Sequence, residues 1–509
     1  MEMSLDLGHQ QLNSLDKASL IKLLLEQGRQ LGEQQVLIQE LREQLAQQDT
    51  LIQALRDQLA KDSHNSGKPP SSDGLKKRKT KSQRRKGQHP KGGQPGHKGG
   101  TLNMVDDPDH IAPHPVDVCP HCQTDLSIVK VTGYERRQVF DIPPIQIEVT
   151  EHQAAVKQCP CCHKEVKGDF PDSVTQPTQY GPHILAQASY LNNYHFIPLA
   201  RTEEVLTDFY GQSPSESVIM AANQRLASAT QGSLASIKEQ LVAARVVNFD
   251  ESGLRAIGKL HWLHVASTPD LTHYHVHEKR GQEGMAAGGI LPRFQGHAVH
   301  DHWAAYLAFG QSQHTFCNAH HLRELEFIHE QYQQSWAVDM AQLLRDIHQE
   351  VKATPVPAMS LPADRLLHYS AAYDKILADG LAANPPSTDP PPKKRGRPKQ
   401  TPPKNLLDRL QTHKTGVLAF MADFDIPFDN NLAEQDIRMM KVKQKVSGTF
   451  RTKEGADTFA AIRSYISTAR KQGHNAITAV YGAFVGHPFM PSVETVSYTH
   501  LTLPTSDLV

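Results

Sequence analysis

Five of the six cysteines fall in two tight clusters, Cys119-Pro-His-Cys122 and Cys159-Pro-Cys-Cys162. Two residues between thiolates let both sulfurs of one turn reach the same ion, and two such turns close a tetrahedron around zinc. The chain between them must therefore fold back on itself. Within that loop, RRQVFDI and IQIEVTE read as strands of a small ribbon. Cys162 fits the two-residue spacing better than Cys161, and His121 and His163 are further donors nearby. Zinc held by Cys119, Cys122, Cys159 and Cys162 has no open position, so its role is structural. Cys317 stands apart and reads as a small buried residue. Six cysteines in 509 residues are too few for a disulfide scaffold and point to a reducing cytosol.

A second constraint lies nearer the N-terminus. Leu24, Leu31, Ile38, Leu45, Ile52 and Leu59 recur every seven residues within 15–61, and Leu41 and Leu55 belong to a companion seam. That repeat predicts one long helix in a left-handed coiled coil, hence self-association. Gln27, Gln34 and Gln48 interrupt the second seam, and packing on the helix's own chain is the alternative. Residues 63–105, rich in Gly, Pro, Ser and Lys, bury too little apolar surface to fold alone.

The formal net charge of zero hides a sharp asymmetry. Residues 76–100 carry ten Lys/Arg and no acid, and 393–399 carry five more, which leaves 39 basic against 54 acidic residues elsewhere. Concentrated positive charge in an otherwise acidic chain points to a polyanion, nucleic acid first. Lys76, Lys77, Arg78, Lys79, Arg84, Arg85 and Lys86 are candidate phosphate contacts, which carry no sequence specificity; a solvated linker is the alternative. Arg395-Gly396-Arg397-Pro398 suits a narrow A·T minor groove, or is a simple basic loop. No apolar run is long enough to span a membrane. The polar N-terminus predicts no secretion signal, so a cytoplasmic protein is expected.

From about 175 to 242 the pattern is helical. Ser213-Pro214-Ser215-Glu216 predicts a helix start, with Ser213 as cap and Pro214 in the first position. A helix, a turn at Gly211 and another helix suit a helix-turn-helix, and equally an ordinary bundle. From 245 the period changes. Residues 245–249, 260–266, 273–277 and 296–300 read as strands, 313–316 is a candidate fifth, and helices follow from about 319. Prolines interrupt 354–404, and helices resume from Asn430 through 455–472 and 475–484. Overall this is a multidomain α+β chain containing an α/β domain with a mixed sheet.

Two acids close predicted strands: Asp250, followed by Glu251-Ser252, and Asp301 in HAVHDHWAAY. A third, Glu434, follows a helix start at Asp429 or Asn430, on one face with Asn431 and Arg438. Three carboxylates suit magnesium, and two ions together suit phosphoryl transfer. Spacing alone equally allows solvated or ion-paired carboxylates. Arg323, after His320 and His321 and before Glu324, is a candidate phosphate contact, with a structural role for the two histidines as alternative. Lys279-Arg280-Gly281 either approaches the acids or forms a solvated turn.

Longer segments carry a resemblance. They are NSGKPPSSDGLKK and GGQPGHKGG, the two cysteine clusters, FDES, HDHWAAY, CNAHHLREL, PFDNNLAEQDIRMMKVKQKVSGTFR and FAAIRSYISTARKQGHNAI. Across almost its whole length the chain resembles the large transposase of the insertion sequence 66 family. The resemblance implies an RNase H-like catalytic core of the DDE type with a mostly helical insertion. It implies metal binding by Asp250, Asp301 and Glu434, with two magnesium ions or manganese in their place. Double-stranded DNA is the implied partner, contacted by Arg323, Arg395, Arg397 and Arg438 among others. A homo-oligomer and small accessory proteins of the same element are implied too. Gln435 departs from the family's frequent Arg and removes a phosphate contact.

The expected boundaries are a coiled coil (1–62), a basic linker (63–105), a zinc ribbon-like domain (106–172) and a helical domain (173–242). An RNase H-like catalytic domain (243–472, insertion about 330–412) and a C-terminal helical segment (473–494) follow. VSYTHLTLPT at 496–505 matches a translated sequencing adapter, so 495–509 is set aside. The alternatives are a catalytically silent zinc and coiled-coil DNA-binding protein, and an RNase H-like nuclease that cuts without joining.

Overall fold

The computed structural model describes residues 16–60, 100, 102–143, 145–386 and 400–492. The basic residues between Lys76 and Lys86, Arg395, Arg397 and the adapter-like tail lie outside the described residues.

Helix α1 (Lys17–Ala60) runs unbroken for 44 residues. It contains no proline, and Arg29 pairs with Glu26 at 2.6 Å and Glu33 at 2.5 Å along one face. Leu24, Leu31, Ile38, Leu45 and Ile52 are all exposed. The side chain of Leu59 lies outside the described residues.

The two cysteine turns share one hydrogen-bond pattern. Cys119 N–H donates to Thr124 O and Gln123 N–H to Cys119 O, both at 2.9 Å; Cys159 N–H donates to Lys164 O at 2.9 Å and His163 N–H to Cys159 O at 2.8 Å. Gln123 and His163, each four residues after the first cysteine, both have positive φ. Strands β1 (Val156–Gln158) and β2 (Glu165–Lys167) form a hairpin flanking the second turn, and a Val118–Asp125 bridge flanks the first. The ribbon expected from RRQVFDI and IQIEVTE is absent: no strand is assigned to those residues. Their apolar side chains Val139, Ile142 and Val149 stand in solvent, and Pro143 withholds an amide donor at the end of the first segment. The strands form instead next to the cysteine turn, where pairing is local.

Helices α2 (Pro182–Asn193), α3 (Leu199–Tyr210), α4 (Glu216–Ala229) and α5 (Gln231–Ala243) follow. The expected cap is corrected by two residues. Helix α4 starts at Glu216 with Ser215 in the cap position, whereas Ser213 accepts from Thr207 Oγ1 at 2.9 Å and, through its carbonyl, from Tyr180 OH at 2.6 Å. Its oxygens hold the preceding turn, which leaves the helix to start beyond Pro214.

A five-stranded sheet then forms in the order β5-β4-β3-β6-β7: β3 (Val246–Ala256), β4 (Lys259–Ser267), β5 (Thr272–His277), β6 (His297–His300) and β7 (Gln313–Phe316). The first three strands are antiparallel neighbours; β6 runs parallel to β3, and β7 parallel to β6. Ile257 and Gly258 join β3 to β4 with both φ values positive, as a two-residue hairpin of matching twist requires. All five strands cover the residues where the change of hydrophobic period predicts them, but β3 runs on to Ala256, so Asp250 lies inside the strand instead of closing it, because pairing with β4 continues to the hairpin at Ile257-Gly258. A short helix α6 (Gln282–Ala287) lies between β5 and β6.

One face of the sheet shares a core with α2, α4 and α5 through residues such as Val247, Phe249, Leu226 and Ile237. The other presents Leu254, Leu263, Val265, Tyr274 and Val276 to α12 (Asn431–Ser447) and α13 (Lys453–Lys471). Helix α14 (Ala476–Phe484) joins the first core. Edge strand β5 is covered: Ser464 and Thr468, one turn apart on α13, accept the amides of Tyr274 at 2.8 Å and Thr272 at 3.0 Å. Those donors are otherwise open to another chain's strand.

Between β7 and α12 lie α7 (Asn318–Tyr332), α8 (Ser335–Ala353), α9 (Ala363–Ala383), α10 (Pro402–Thr412) and α11 (Lys414–Ala422), around a core of their own that includes Leu325, Met340, Leu344, Tyr373 and Leu407. Arg365 on α9 donates to both carboxylate oxygens of Glu350 on α8, at 2.7 and 2.6 Å, and Tyr369 OH also donates to it. These donors hold the Glu350 pKa down at about 2, below its ordinary 4.5. A carboxylate depressed in the fold stabilises above its unfolded pKa and stops doing so as pH falls through the folded value. Glu350→Gln is therefore expected to lower the melting temperature at pH 7, and the gap from native should shrink between pH 4.5 and 2. A gap unchanged at pH 2 would assign the loss to packing instead of charge.

Candidate active site

The β3–β6 register decides how the first two acids meet. Val246 pairs with His297, Val247 with Ala298 and Asn248 with Val299. Continued by two residues, that register sets Asp250 beside Asp301 on neighbouring strands, where strand spacing is about 4.8 Å. Both acids then point to the same side, because side chains alternate along a strand. Trp303 N–H donates to Asp301 Oδ1 at 3.0 Å and fixes that carboxylate.

Glu434 comes from the first turn of α12, and Asn430 places that turn. Asn430 is buried at 1% exposure. It accepts from Asn248 Nδ2 at 2.8 Å, donates to Phe249 O at 2.8 Å, and its N–H donates to Cys317 Sγ at 3.2 Å. Its side chain thus binds the strand instead of capping its own helix. Asp429 supplies the local acceptor, taking Asn431 N–H at 3.1 Å. One turn on, Asp436 accepts from Ser267 Oγ at 2.5 Å, Thr272 Oγ1 at 3.0 Å and Lys471 Nζ at 2.8 Å. Glu434 sits between these two anchors.

The charges of Asp301 and Glu434 both reach Asp250, although the three carboxylates do not all lie within 4.8 Å of one another. Burial, then the charges of Glu251, Asp301 and Glu434, push the Asp250 pKa well above the carboxylate range. Asp301 is pushed up to about 7 by burial and then by Glu251. Clustered carboxylates raise one another in this way when no cation lies between them, so the donor set suits a hard divalent ion.

Sequence reasoning passed over Glu251 and Tyr306. Glu251 is buried and takes Arg280 at 2.8 Å, together with Tyr306 OH at 2.5 Å. The Arg280 guanidinium stacks 4.0 Å from the Trp303 ring centre and 5.2 Å from that of Trp262. Of the two readings of Lys279-Arg280-Gly281, approach to the acids is the one the structure adopts for Arg280. The adjacent pair Asp250-Glu251 was the available signal, since a strand sends its two side chains to opposite faces.

The two histidines divide. His321 is buried, bonded to Asn318 Oδ1 and to His302 Nδ1, each at 3.0 Å, and burial depresses its pKa to about 3. His320 Nδ1 lies 3.8 Å from Glu434 Oε1. Cys317 is buried, as expected, but beside the acids, and burial and Glu434 push its thiol up to about 12. Glu324 pairs with Arg409. Arg323 is half-buried on α7, and Arg438 is exposed on α12, one turn beyond Glu434. The thiols of the cysteine turns interact within each turn, Cys122 with Cys119 and Cys159 with Cys162. Among the described residues no three of them gather at one point; the single group of three close metal-ligating atoms is Cys317, His320 and Glu434.

Residues 177–458, over half of the chain and all three acids, match the family model described as Transposase IS66 family. The chain belongs to that family. Residues 117–163 match the zinc-finger binding domain of transposase IS66, which supports a structural zinc at the cysteine turns. Residues 25–103 match a family of unknown function. No curated protein matches the chain. Among the described residues no helix is long and apolar enough to cross a membrane.

The placement of Glu434 depends on Asn430. Asn430→Ala leaves the Asn248 amide and the Phe249 carbonyl without their buried partner, at a cost of about 1–3 kcal/mol. A lower urea midpoint with an unchanged slope is the expected result. A midpoint equal to that of the native chain would show that α12 is held without this contact.

Proposed function

We propose that this family member is a DDE-type DNA transposase that cuts and joins DNA strands, with Asp250, Asp301 and Glu434 as ligands of two magnesium or manganese ions. What supports this reading is the β3–β6 register, which sets Asp250 beside Asp301, together with the charge of Glu434, which reaches Asp250 from the first turn of α12. The sheet supports an RNase H-like core, with three antiparallel strands followed by two parallel ones, Asp250 inside the first strand and Asp301 directly after the fourth.

When bound, the ions stabilise the attacking and departing oxygens of an in-line phosphoryl transfer. The chain's own residues do the positioning. Asp250 and Asp301 present oxygens from a rigid sheet, and Glu434 closes the set from a helix pinned on either side of it. Asp301, with a pKa of about 7, is readily ionised by an incoming cation near neutral pH. Arg280 pairs with Glu251, whose charge is the first, after burial, of those that raise Asp250 and Asp301. Water and then a DNA 3′ hydroxyl serve as nucleophiles, and no covalent enzyme intermediate is needed.

DNA is held, on this reading, by the basic residues between Lys76 and Lys86 and by Arg395 and Arg397. Arg323 and Arg438 flank the acids. Zinc at Cys119, Cys122, Cys159 and Cys162 would draw the two turns into one rigid unit. The exposed leucine face of α1 would pair with a second copy and bring two element ends together.

The test is cleavage and joining of DNA carrying the cognate element ends, in magnesium, with the element's small accessory proteins supplied. Native protein is expected to give joined products, and Asp250→Ala and Glu434→Gln none. Cut ends without joining would indicate a nuclease. Bound but uncut DNA would indicate a silent DNA-binding relative.

A further inference from the structure

The starts of α7 and α12 bring three different metal-ligating groups together. Cys317 Sγ, a ring nitrogen of His320 and a carboxylate oxygen of Glu434 all lie within 4.8 Å of one another. We propose that these residues form a second metal site, for a thiophilic divalent cation of the zinc class, which shares Glu434 with the acid cluster.

The chemistry separates this site from the carboxylate one. Magnesium takes hard oxygen ligands in near-octahedral geometry and has little affinity for sulfur. Thiolate, imidazole and carboxylate together are a zinc donor set, and three protein ligands leave a fourth position open. Cys317 and His320 have the two-residue spacing that lets one helical turn offer both side chains to a single ion. Tetrahedral zinc holds its ligand atoms about 3.3–3.7 Å apart. His320 Nδ1 and Glu434 Oε1, at 3.8 Å, are close to that already. The sulfur accepts the Asn430 N–H at 3.2 Å, the kind of donor that steadies a metal-bound thiolate. Cys317 is 1% exposed, and although the side chains of His320 and Glu434 are each 25% exposed, His320 Nδ1 and Glu434 Oε1 themselves are buried, so the three ligand atoms face one another away from solvent.

Glu434 cannot serve both centres in full. Zinc-class occupancy draws it toward Cys317 and His320 and away from Asp250 and Asp301. That consequence, inhibition by thiophilic metal, rests on the reading of the three acids as the magnesium centre; the site itself does not.

The test counts cobalt(II), a spectroscopic stand-in for zinc, bound to the full-length chain. Sulfur-to-cobalt absorption and metal analysis would be recorded for native protein, Cys317→Ser and His320→Gln. Native protein is expected to bind one more cobalt per chain than either variant, with far-ultraviolet circular dichroism unchanged. His320→Gln, at a part-exposed position, decides the matter where Cys317→Ser fails to fold. Equal cobalt in native protein and His320→Gln overturns the proposal. No DNA is involved, so a chain inactive in strand joining still gives a clear result. Micromolar zinc in the magnesium-dependent joining assay then reads the shared carboxylate, and native activity indifferent to zinc overturns the sharing of Glu434.

Discussion

The buried side chain of Asn430 ties the two halves of the acid cluster together. Asp250 and Asp301 meet through the β3–β6 register, which a parallel strand pair enforces locally. Glu434 has no such guarantee, because it arrives more than 130 residues after Asp301, beyond a helical unit with its own core. Asn430 bonds to Asn248 and Phe249 immediately before Asp250 and so couples the start of α12 to the strand that carries the first acid. Asp436 secures the next turn against β4, β5 and α13. The turn that carries Glu434 is thus held on both sides, while its carboxylate lies within reach of Cys317 and His320 as well.

That rigidity has an electrostatic cost. Several carboxylates close together and poorly hydrated repel one another, and the raised pKa values of Asp250 and Asp301 express it. Arg280 and Tyr306 relieve Glu251. On the proposed reading, a divalent ion held by Asp250, Asp301 and Glu434 would remove the repulsion that remains.

Periodicity made much of the fold legible. The alternating runs at 245–249, 260–266, 273–277, 296–300 and 313–316 correspond to the five strands, and the heptads of 15–61 to one helix. Apolar patterning failed where prolines and missing partners decided the outcome, as in RRQVFDI and IQIEVTE. It also failed at Ser213, whose hydroxyl is taken by Thr207, a contact that capping rules do not include. Asp301 and Glu434 could be marked in the sequence because one follows a strand and the other opens a helix, whereas Asp250, expected to close its strand, lies inside β3. Cys317 could not be placed beside them, because its amide partner Asn430 lies 113 residues away. The Glu251–Arg280–Tyr306 network likewise joins residues 29 and 55 positions apart. No local pattern encodes such contacts; they follow from strand register and helix docking.

On the proposed reading, Asp250, Asp301 and Glu434 act as one cation-binding unit. Manganese(II) binding to the full-length chain near neutral pH, followed by electron paramagnetic resonance, tests it most directly. Native protein is expected to hold manganese that Asp301→Asn and Glu434→Gln each lose, while Arg438→Ala retains it. Equal manganese binding by all four chains would contradict the account and leave the acids as an ordinary buried cluster.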